Sequence, residues 1–515
     1  MTLAATVHQP KQNTDYATRE TSQQFPRRYL VYMAGIGTRL FLPMMQEFVN
    51  RLGQQVDAIT FVIGDRHSYR WARTQLLDGR IQLLYQHEHL DPFRRPARVD
   101  VDQLSRWEER YGVPNLWRYV LVHRMINHLS DQAKLAYLQT YLEYFESLAL
   151  RYQPEVLITG APDSMVFLLA YQVFKQRGAI PLLLSPGRIP GCSFIVDNDT
   201  ERIPGLEQAY AALRERDLTA DEQQQVHRLR DVYRAHRIRP HYYGLGPRTK
   251  ALPSPARLVR LIKRRIEDEG RYVDEGIWQM VQRSVLTRWR TPWQRLDLSR
   301  YAAARIGDEP FFYYPLHYEP ESAVDVFSTY YRDQLRVIRL VASALPVGHL
   351  LYVKENPNMP IGTRPRGYYR RVATIPGVRL LPTTTDSYEV IARCRGVVTL
   401  AGTTGFEALC CGKPVLMFGH AFYEVFREGV FRSAGLEDAA EMLQRMSAHP
   451  HVDETLLEKF LAAVLQRTYA VECEQYKPQI EGPENVRALT SCLINELAFR
   501  LQNSHCAEIT ASHAS

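Results

Sequence analysis

The strongest constraint on the fold is a repeated alternation of short, wholly apolar strand-like segments with helix-like segments. In the first part of the chain this pattern includes "RYLVYMAG" (28–35), "DAITFVIGD", "EVLITG" (155–160) and "AIPLLLSP" (179–186). It returns near residue 310 with "PFFYYPLHYEPE", "HLLYVKENP", "GVVTLA" and "KPVLMFG". Strands that are apolar on both faces are typical of parallel sheets covered by helices on both sides. The sequence therefore predicts an α/β protein with two doubly wound parallel-sheet domains.

The order of these elements predicts five segments along the chain. Charged, strand-poor helical sequence separates the two strand-rich regions, and a helix-like stretch, "PENVRALTSCLINELAFRLQ", follows the second. We predict a disordered tail (1–27), an N-terminal α/β domain (28–200), a helical insert or connection (201–304), a C-terminal α/β domain (305–482) and a final helix with a tail (483–515). The first tail has no apolar stretch of the kind found in signal peptides.

Composition narrows the classes of function. The 515 residues are 45% hydrophobic and 23% charged, as in a globular protein, and the net charge of +8 arises from 64 basic and 56 acidic residues. So small an excess suits a small anionic ligand or a membrane-surface contact better than a nucleic acid. The seven cysteines form no C-x-x-C pair, which argues against a disulfide framework or zinc site and favours a cytoplasmic location. No apolar run is long enough to span a bilayer.

The segment "LAGTTGFEALCCGKPVLMFG" (400–419) places a Gly-Thr turn between a strand and a helix. Gly402, Thr403, Thr404 and Gly405 would direct backbone N–H groups and the positive end of a helix dipole at a ligand, and Glu407 could accept hydrogen bonds from ribose hydroxyls. The same residues also fit a capping box, Thr404-x-x-Glu407, which would satisfy the helix's own N–H groups. The pattern alone favours neither interpretation.

Two further strand ends carry polar residues that could reach the same ligand. In "LLYVKENPNMP", Lys354 can pair with a phosphate and Asn356 can donate a hydrogen bond. In "PLHYEPE" (315–321), His317 can bind a phosphate or donate a proton to a leaving group, and Glu319 or Glu321 can bind sugar hydroxyls. A solvated lysine and a structural histidine are the ordinary alternatives.

In the first half of the chain, Asp163 follows a strand in "TGAPDSMV", and Asp65 and His67 follow another in "GDRHSYR". A carboxylate at such a strand end could take the proton from an acceptor hydroxyl, and Asp163 is the preferred candidate. A helix N-cap is its ordinary alternative role. The run "RLVRLIKRR" (257–265) could press a basic face against anionic lipid, although a solvated amphipathic helix is the commoner outcome.

Taken together and in order, several C-terminal segments resemble the capsule and surface polysaccharide biosynthesis proteins. They are "FFYYPLHYEPE", "YYRDQLRVIRLVASALP", "LYVKENPNMP", "IPGVRLLP" and "DSYEVIARCRGVVTLAGTTGFEALCCGKPVLMFGHAFYE". That group has a GT-B fold, with two doubly wound domains facing across a cleft, and includes bacterial Kdo transferases that use a CMP-activated sugar. The resemblance covers residues 305–430 and, in outline, 150–200.

The resemblance implies roles for individual residues. The turn of Gly402, Thr403, Thr404 and Gly405 with Glu407 would line the nucleotide side of the site, and Lys354 would meet the donor's phosphate. The chain departs from the group at Asn356, where the group has histidine in a Lys-x-His-Pro motif. It departs again at Ser185, Pro186 and Gly187, where related transferases carry an acidic residue before glycine.

The function implied is that of a glycosyltransferase of capsular polysaccharide biosynthesis. It would transfer a sugar from a nucleotide-activated donor, with a CMP-linked sugar as one option, to a saccharide acceptor with inversion, without a metal or another cofactor. A UDP-N-acetylglucosamine 2-epimerase-like enzyme and a non-catalytic component of polysaccharide assembly or export are the alternatives. The partners expected are the donor and the acceptor, with a peripheral contact to the inner membrane or an export complex as a further option.

Overall fold

The computed structural model describes residues 24–90, 99–113, 115–189, 191–235, 259, 277–303, 305–474 and 480–513. The chain forms two compact units, one made of Met1–Asp199 with Arg467–Ser515 and the other of Thr200–Gln466. This grouping differs from the predicted segments, because the described residues between 201 and 303 belong with the second sheet and the final helix belongs with the first. Most of the predicted tail (1–27) and nearly all of the basic run 257–265 lie outside the described residues.

The first unit contains a six-stranded sheet in the order β3-β2-β1-β4-β5-β6. β1 to β5 are parallel and β6 runs antiparallel to β5. The strands are β1 (Arg28–Met33), β2 (Ala58–Ile63), β3 (Ile81–Tyr85), β4 (Val156–Gly160), β5 (Ile180–Pro186) and β6 (Ser193–Val196). The strand order reverses between β1 and β4, so the turns after these two strands lie where doubly wound sheets bind ligands.

Helices cover both faces of this sheet because their apolar residues recur every three or four positions. In the first of them, Leu40, Phe41, Met44, Met45 and Phe48 are all buried. The helices are α1 (Thr38–Leu52), α2 (Arg66–Gln75), α3 (Gln86–Leu90), α4 (Val101–Tyr111), α5 (Trp117–Val122), α6 (Asp131–Tyr152) and α7 (Met165–Gln176).

The second unit repeats the same topology with six parallel strands in the order β12-β11-β10-β7-β8-β9. The strands are β7 (Phe311–Pro315), β8 (Leu350–Lys354), β9 (Val378–Leu381), β10 (Gly396–Thr399), β11 (Val415–Met417) and β12 (Val430–Arg432). The order reverses between β7 and β10. The predicted fold class, GT-B-like in having two doubly wound parallel-sheet domains in one chain, is confirmed.

The helices of the second unit include those of the predicted insert, which pack on the unit as part of its body. Tyr210 contacts the rings of Phe426 and Phe460, and the buried Arg230 donates to the carbonyl of Cys410. The helices are α8 (Leu206–Arg214), α9 (Ala220–Arg234), α10 (Ile277–Tyr301), α11 (Ser322–Asp325), α12 (Gln334–Ser343), α13 (Tyr368–Ala373), α14 (Ser387–Arg393), α15 (Thr403–Cys410), α16 (Leu436–Ala448) and α17 (Glu454–Gln466).

The last helix, α18 (Pro483–His513), returns to the first unit and packs beside α1. Leu489, Leu493 and Leu497 are fully buried in the core that contains Phe48. Within the described part of the chain, neither this helix nor any other is long and apolar enough to cross a membrane.

A buried ion-pair cluster fixes α18 to the sheet. The carboxylate of Glu496 accepts hydrogen bonds from Arg467 at 3.0 Å, Tyr469 at 2.8 Å and Arg500 at 3.0 Å. Arg500 in turn donates to the carbonyl of Pro181 in β5 at 2.5 Å. Glu496 is 1% exposed and is the nearer counter-charge of Arg500, which also lies 3.7 Å from the carboxylate of Asp197.

We expect Glu496→Gln to lower the free energy of unfolding of the first unit by up to about 3–5 kcal/mol, because it removes the nearer counter-charge of the buried Arg500 and leaves the more distant carboxylate of Asp197, at 3.7 Å. Urea unfolding followed by circular dichroism measures the change. Glu484→Gln, in the exposed first turn of the same helix, is the control and should stay within about 0.5 kcal/mol of the parent. Equal losses in the two variants would contradict the assignment.

Candidate functional site

The strand reversal in the second unit brings two predicted site segments into contact. His317 follows β7, and the turn 400–402 follows β10, its neighbour in the sheet. The ring nitrogen Nε2 of His317 accepts a hydrogen bond from the backbone N–H of Leu400 at 3.1 Å and lies 3.1 Å from Thr399 Oγ1. The turns after β7 and β10 are therefore held together by the imidazole.

These bonds define the chemical state of His317. Because a backbone N–H can only donate, Nε2 must be the unprotonated nitrogen, and the neutral ring carries its proton on Nδ1. The side chain is buried, with 6% exposed. Any proton that His317 gives to a ligand must therefore come from Nδ1.

Gly402 is required by the closeness of this ring. A Cβ atom at residue 402 would lie 2.6 Å from His317 Cε1 and 3.1 Å from Nδ1, distances that real Cβ contacts avoid. On the other side, the hydroxyl of the buried Tyr423 donates to the Gly402 carbonyl at 2.8 Å. Tyr423 also blocks any side chain at Gly405, where a Cβ would lie 2.5 Å from its hydroxyl oxygen.

Helix α15 begins without a side-chain cap. Its N-cap residue is Gly402, and Thr404 lies inside the first turn, so the capping-box interpretation of Thr404 and Glu407 is wrong. No described residue accepts a hydrogen bond from the backbone N–H of Thr403 or Thr404, and both residues are half-buried. These N–H groups and the helix dipole remain able to bind an anion.

Lys354 ends β8 and is buried, with 3% exposed. Its ammonium donates to Ser387 Oγ at 2.9 Å and forms no ion pair with a residue in the described ranges. Burial lowers the pKa of Lys354, while the carboxylates of Asp386, Glu407 and Glu355 act in the opposite direction. Lys354 at the end of β8 and Glu407 in the helix that follows β10 lie at the same edge of one sheet, as the sequence predicted.

Asn356 has a local structural role in the turn after β8. Its side-chain oxygen accepts from the N–H of Asn358 at 2.9 Å, and its backbone carbonyl accepts from Met359 at 3.0 Å. The amide nitrogen Nδ2 donates to nothing in the described residues. Asn356 can therefore still offer a hydrogen bond, although its oxygen is committed to the turn.

The segment after β7 is braced by a cluster that the sequence did not predict. Arg364 forms two hydrogen bonds with Glu355, both at 2.9 Å, and donates to Glu319 at 2.8 Å and to the carbonyl of His317 at 2.8 Å. Glu319 is thus held by protein partners, whereas the predicted Glu321 is exposed at the start of α11. Arg364 lies in no recognisable motif, so only the fold reveals its role.

In the first unit, Asp163 follows β4 at the strand reversal. Its side chain reaches the surface, but the surrounding protein atoms displace much of the nearby water, and this desolvation raises the pKa of its carboxyl. The hydrogen bond with Ser164 and the charge of His123 oppose the rise. Asp65 instead has a structural role, since it caps α2 at Ser68 N (2.9 Å) and accepts from Gly35 N at 2.7 Å. His67 is exposed.

In the described ranges, no group of three or more His, Cys, Asp or Glu side chains lies close enough together to hold a metal ion. The following cysteines are free thiols: Cys192, Cys394, Cys410, Cys411, Cys473 and Cys492.

The chain matches one family model over the region that contains the candidate site. Residues 247–471 match the family model described as "Capsule polysaccharide biosynthesis protein", and this span contains Lys354, His317 and the whole of α15. The resemblance to the capsule polysaccharide family is confirmed. No curated protein sequence matches the chain significantly.

Solved structures give fold-level likenesses. The beta Kdo 2,7 transferase of Thermosulfurimonas dismutans KpsC is 15% identical, with 68% of this chain and 89% of that chain covered at a TM-score of 0.36. The UDP-GlcNAc 2-epimerase of Neisseria meningitidis, bound to UDP-GlcNAc, is 11% identical, with 85% and 99% covered at a TM-score of 0.26. At these values neither likeness distinguishes between activities.

We expect Gly402→Ala to destabilise the second unit by about 1–3 kcal/mol, because the new methyl group overlaps the His317 ring. Gly435→Ala is the matched control, since Gly435 is also a helix N-cap and a Cβ there meets nothing within 4 Å. Thermal or urea unfolding measures both. The loss from Gly402→Ala should shrink in a His317→Ala background, and a loss of the same size in both backgrounds would contradict the contact.

Proposed function

We propose that the chain is a glycosyltransferase of capsular polysaccharide biosynthesis that takes a sugar from a nucleotide-activated donor. The observation that carries this proposal is the buried Lys354 ammonium at the end of β8, the strand beside β7 in the second unit. The family match over residues 247–471 supports the same process.

Burial of the Lys354 ammonium without a ligand costs free energy. An ammonium has three hydrogen-bond donors, and burial removes the water that would otherwise satisfy them. Ser387 accepts from the ammonium, but its hydroxyl is neutral, and no described carboxylate lies within ion-pair distance. A phosphate oxygen would provide both the missing acceptor and the missing charge.

The start of α15 supplies a second set of donors at the same edge of the sheet. The N–H groups of Thr403 and Thr404 suit phosphate oxygens, and Glu407, which is 9% exposed, is placed one turn further to accept from ribose hydroxyls. Lys354 and these amides would stabilise the negative charge of the departing nucleotide, so we propose a reaction that needs no metal for this purpose.

For the acceptor we propose Asp163 as the general base. A raised pKa suits this role, because a more basic carboxylate takes a hydroxyl proton more readily. The acceptor oxygen would then attack the anomeric carbon as the bond to the nucleotide phosphate breaks, which inverts the configuration. His317 would hydrogen-bond the leaving phosphate through Nδ1.

We predict that Lys354→Met weakens nucleotide binding by about 10- to 100-fold, the value of a charge-assisted hydrogen bond. Isothermal titration calorimetry with CMP, UDP and GDP measures the affinity and identifies the base. Lys413→Met is the matched control, because Lys413 is 8% exposed but precedes β11 at the opposite edge of the same sheet. The nucleotide affinity of the Lys413→Met variant should equal that of the parent protein.

Two outcomes would overturn the proposal. If none of the three nucleotides binds the parent protein, the chain is not a nucleotide-sugar enzyme, and a non-catalytic role in polysaccharide assembly is favoured. If the matching sugar nucleotide is converted to its epimer without an acceptor, the protein is an epimerase.

We predict that Asp163→Asn leaves nucleotide affinity unchanged and lowers the rate of sugar transfer by about 10²- to 10⁴-fold. In the parent, kcat/KM should fall on the acid side at a pH above that expected for an ordinary aspartate, because the carboxyl must be ionised and its pKa is raised. Asp65→Asn serves as the comparison, and its kcat/KM should show the same fall at acid pH as the parent. If Asp163→Asn keeps the fall of kcat/KM at acid pH unchanged, Asp163 is excluded as the base.

A further inference from the structure

Helix α10 has one face fixed to the second unit. The side chain of Gln294 is 1% exposed, donates to the carbonyl of Arg364 and accepts from Gly362 N at 2.8 Å. Thr291 Oγ1 donates to the carbonyl of Ile361 at 3.0 Å, and Leu298 joins the core of the unit. The helix is thus anchored on the segment that follows β8.

The opposite face of α10 exposes large apolar side chains. We call it the α10 outer face, and it consists of Val285 (55% exposed), Leu286 (36%), Trp289 (53%), Trp293 (50%) and Leu296 (55%). At 3.6 residues per turn these five positions fall within an arc of about 100°. Scattered apolar residues are ordinary on a surface, but a continuous stripe with two tryptophans marks an interaction site.

Basic residues border this stripe. Arg290 lies on one side of it, Arg288 and Arg295 lie on the other, and Arg300 continues it toward the end of the helix. Asp297 is the one acidic residue between 282 and 300. An apolar stripe with tryptophans between rows of arginine is complementary to a surface that is apolar inside and anionic outside.

We propose that the α10 outer face binds the headgroup layer of a membrane that contains anionic lipid. Tryptophan favours this layer because its ring is apolar while its N–H is polar, and arginine pairs with lipid phosphates. The helix lies along the membrane plane, since its inner face stays bound to the protein. This assigns the contact to residues 285–296; nearly all of the run 257–265 lies outside the described residues.

The position of α10 gives the contact a consequence for the candidate site. Gln294 holds the carbonyl of Arg364, whose guanidinium binds Glu355 and the carbonyl of His317. The helix proposed to bind the membrane is therefore hydrogen-bonded directly to Arg364, the residue that braces the donor site. An acceptor attached to a lipid would be presented close to the enzyme.

The test is sedimentation of the full chain with vesicles. Phosphatidylcholine vesicles are compared with vesicles containing 30% phosphatidylglycerol (about one anionic lipid in three), a content at which basic segments bind. We expect binding to the anionic vesicles, a weakening of about fivefold for each of Arg288→Gln and Arg295→Gln, and loss at high salt. The double variant Trp289→Ala/Trp293→Ala should weaken binding by about tenfold or more.

Trp117→Ala is the matched control, because Trp117 is 40% exposed on the first unit, and it should bind as the parent does. Lys354→Met should also bind normally, so this proposal can fail separately from the proposed function. The proposal is overturned if the parent ignores anionic vesicles or if the double variant binds equally well. A concentration-dependent dimer that the double variant abolishes would instead assign the face to a second copy of the chain.

Discussion

The bidentate pair of Arg364 and Glu355 is the interaction on which the candidate site of the second unit depends. Both side chains are buried, at 3% and 2% exposed, and their two hydrogen bonds consume one edge of the guanidinium. The remaining donors reach Glu319 and the carbonyl of His317, so one arginine joins the segments after β7 and β8. Such a pair adds little net stability, but removing either partner leaves an uncompensated buried charge.

The bracing extends outward from this pair in two directions. Through His317 it reaches the turn after β10, where the imidazole accepts from Leu400 and the ring fills the space that Gly402 leaves open. Through the Arg364 carbonyl it reaches Gln294 and helix α10. The donors proposed to hold a phosphate are thus positioned by a preformed scaffold, which lowers the entropy cost of binding.

Much of the fold could be predicted from the sequence, because apolar strands alternating with amphipathic helices have few alternatives to a doubly wound sheet. The placement of Lys354 and Glu407 at one edge of the sheet could also be predicted, because the carboxyl ends of parallel strands lie at the same edge. The capping interpretation of Thr404 failed because a four-residue pattern does not fix where a helix begins. Arg364 and Tyr423 could not be found, because their partners are distant in sequence and only the folded chain brings them together.

The return of α18 to the first unit has a consequence for how the protein is made. During synthesis, a ribosome releases the five parallel strands of the first sheet long before Leu489, Leu493 and Leu497 exist to cover α1. Until then, the apolar surface that those leucines will cover is open to water, while the whole second unit is translated. The first domain to emerge is therefore the last to be completed, and its apolar surface stays exposed for most of the time that the chain is being made.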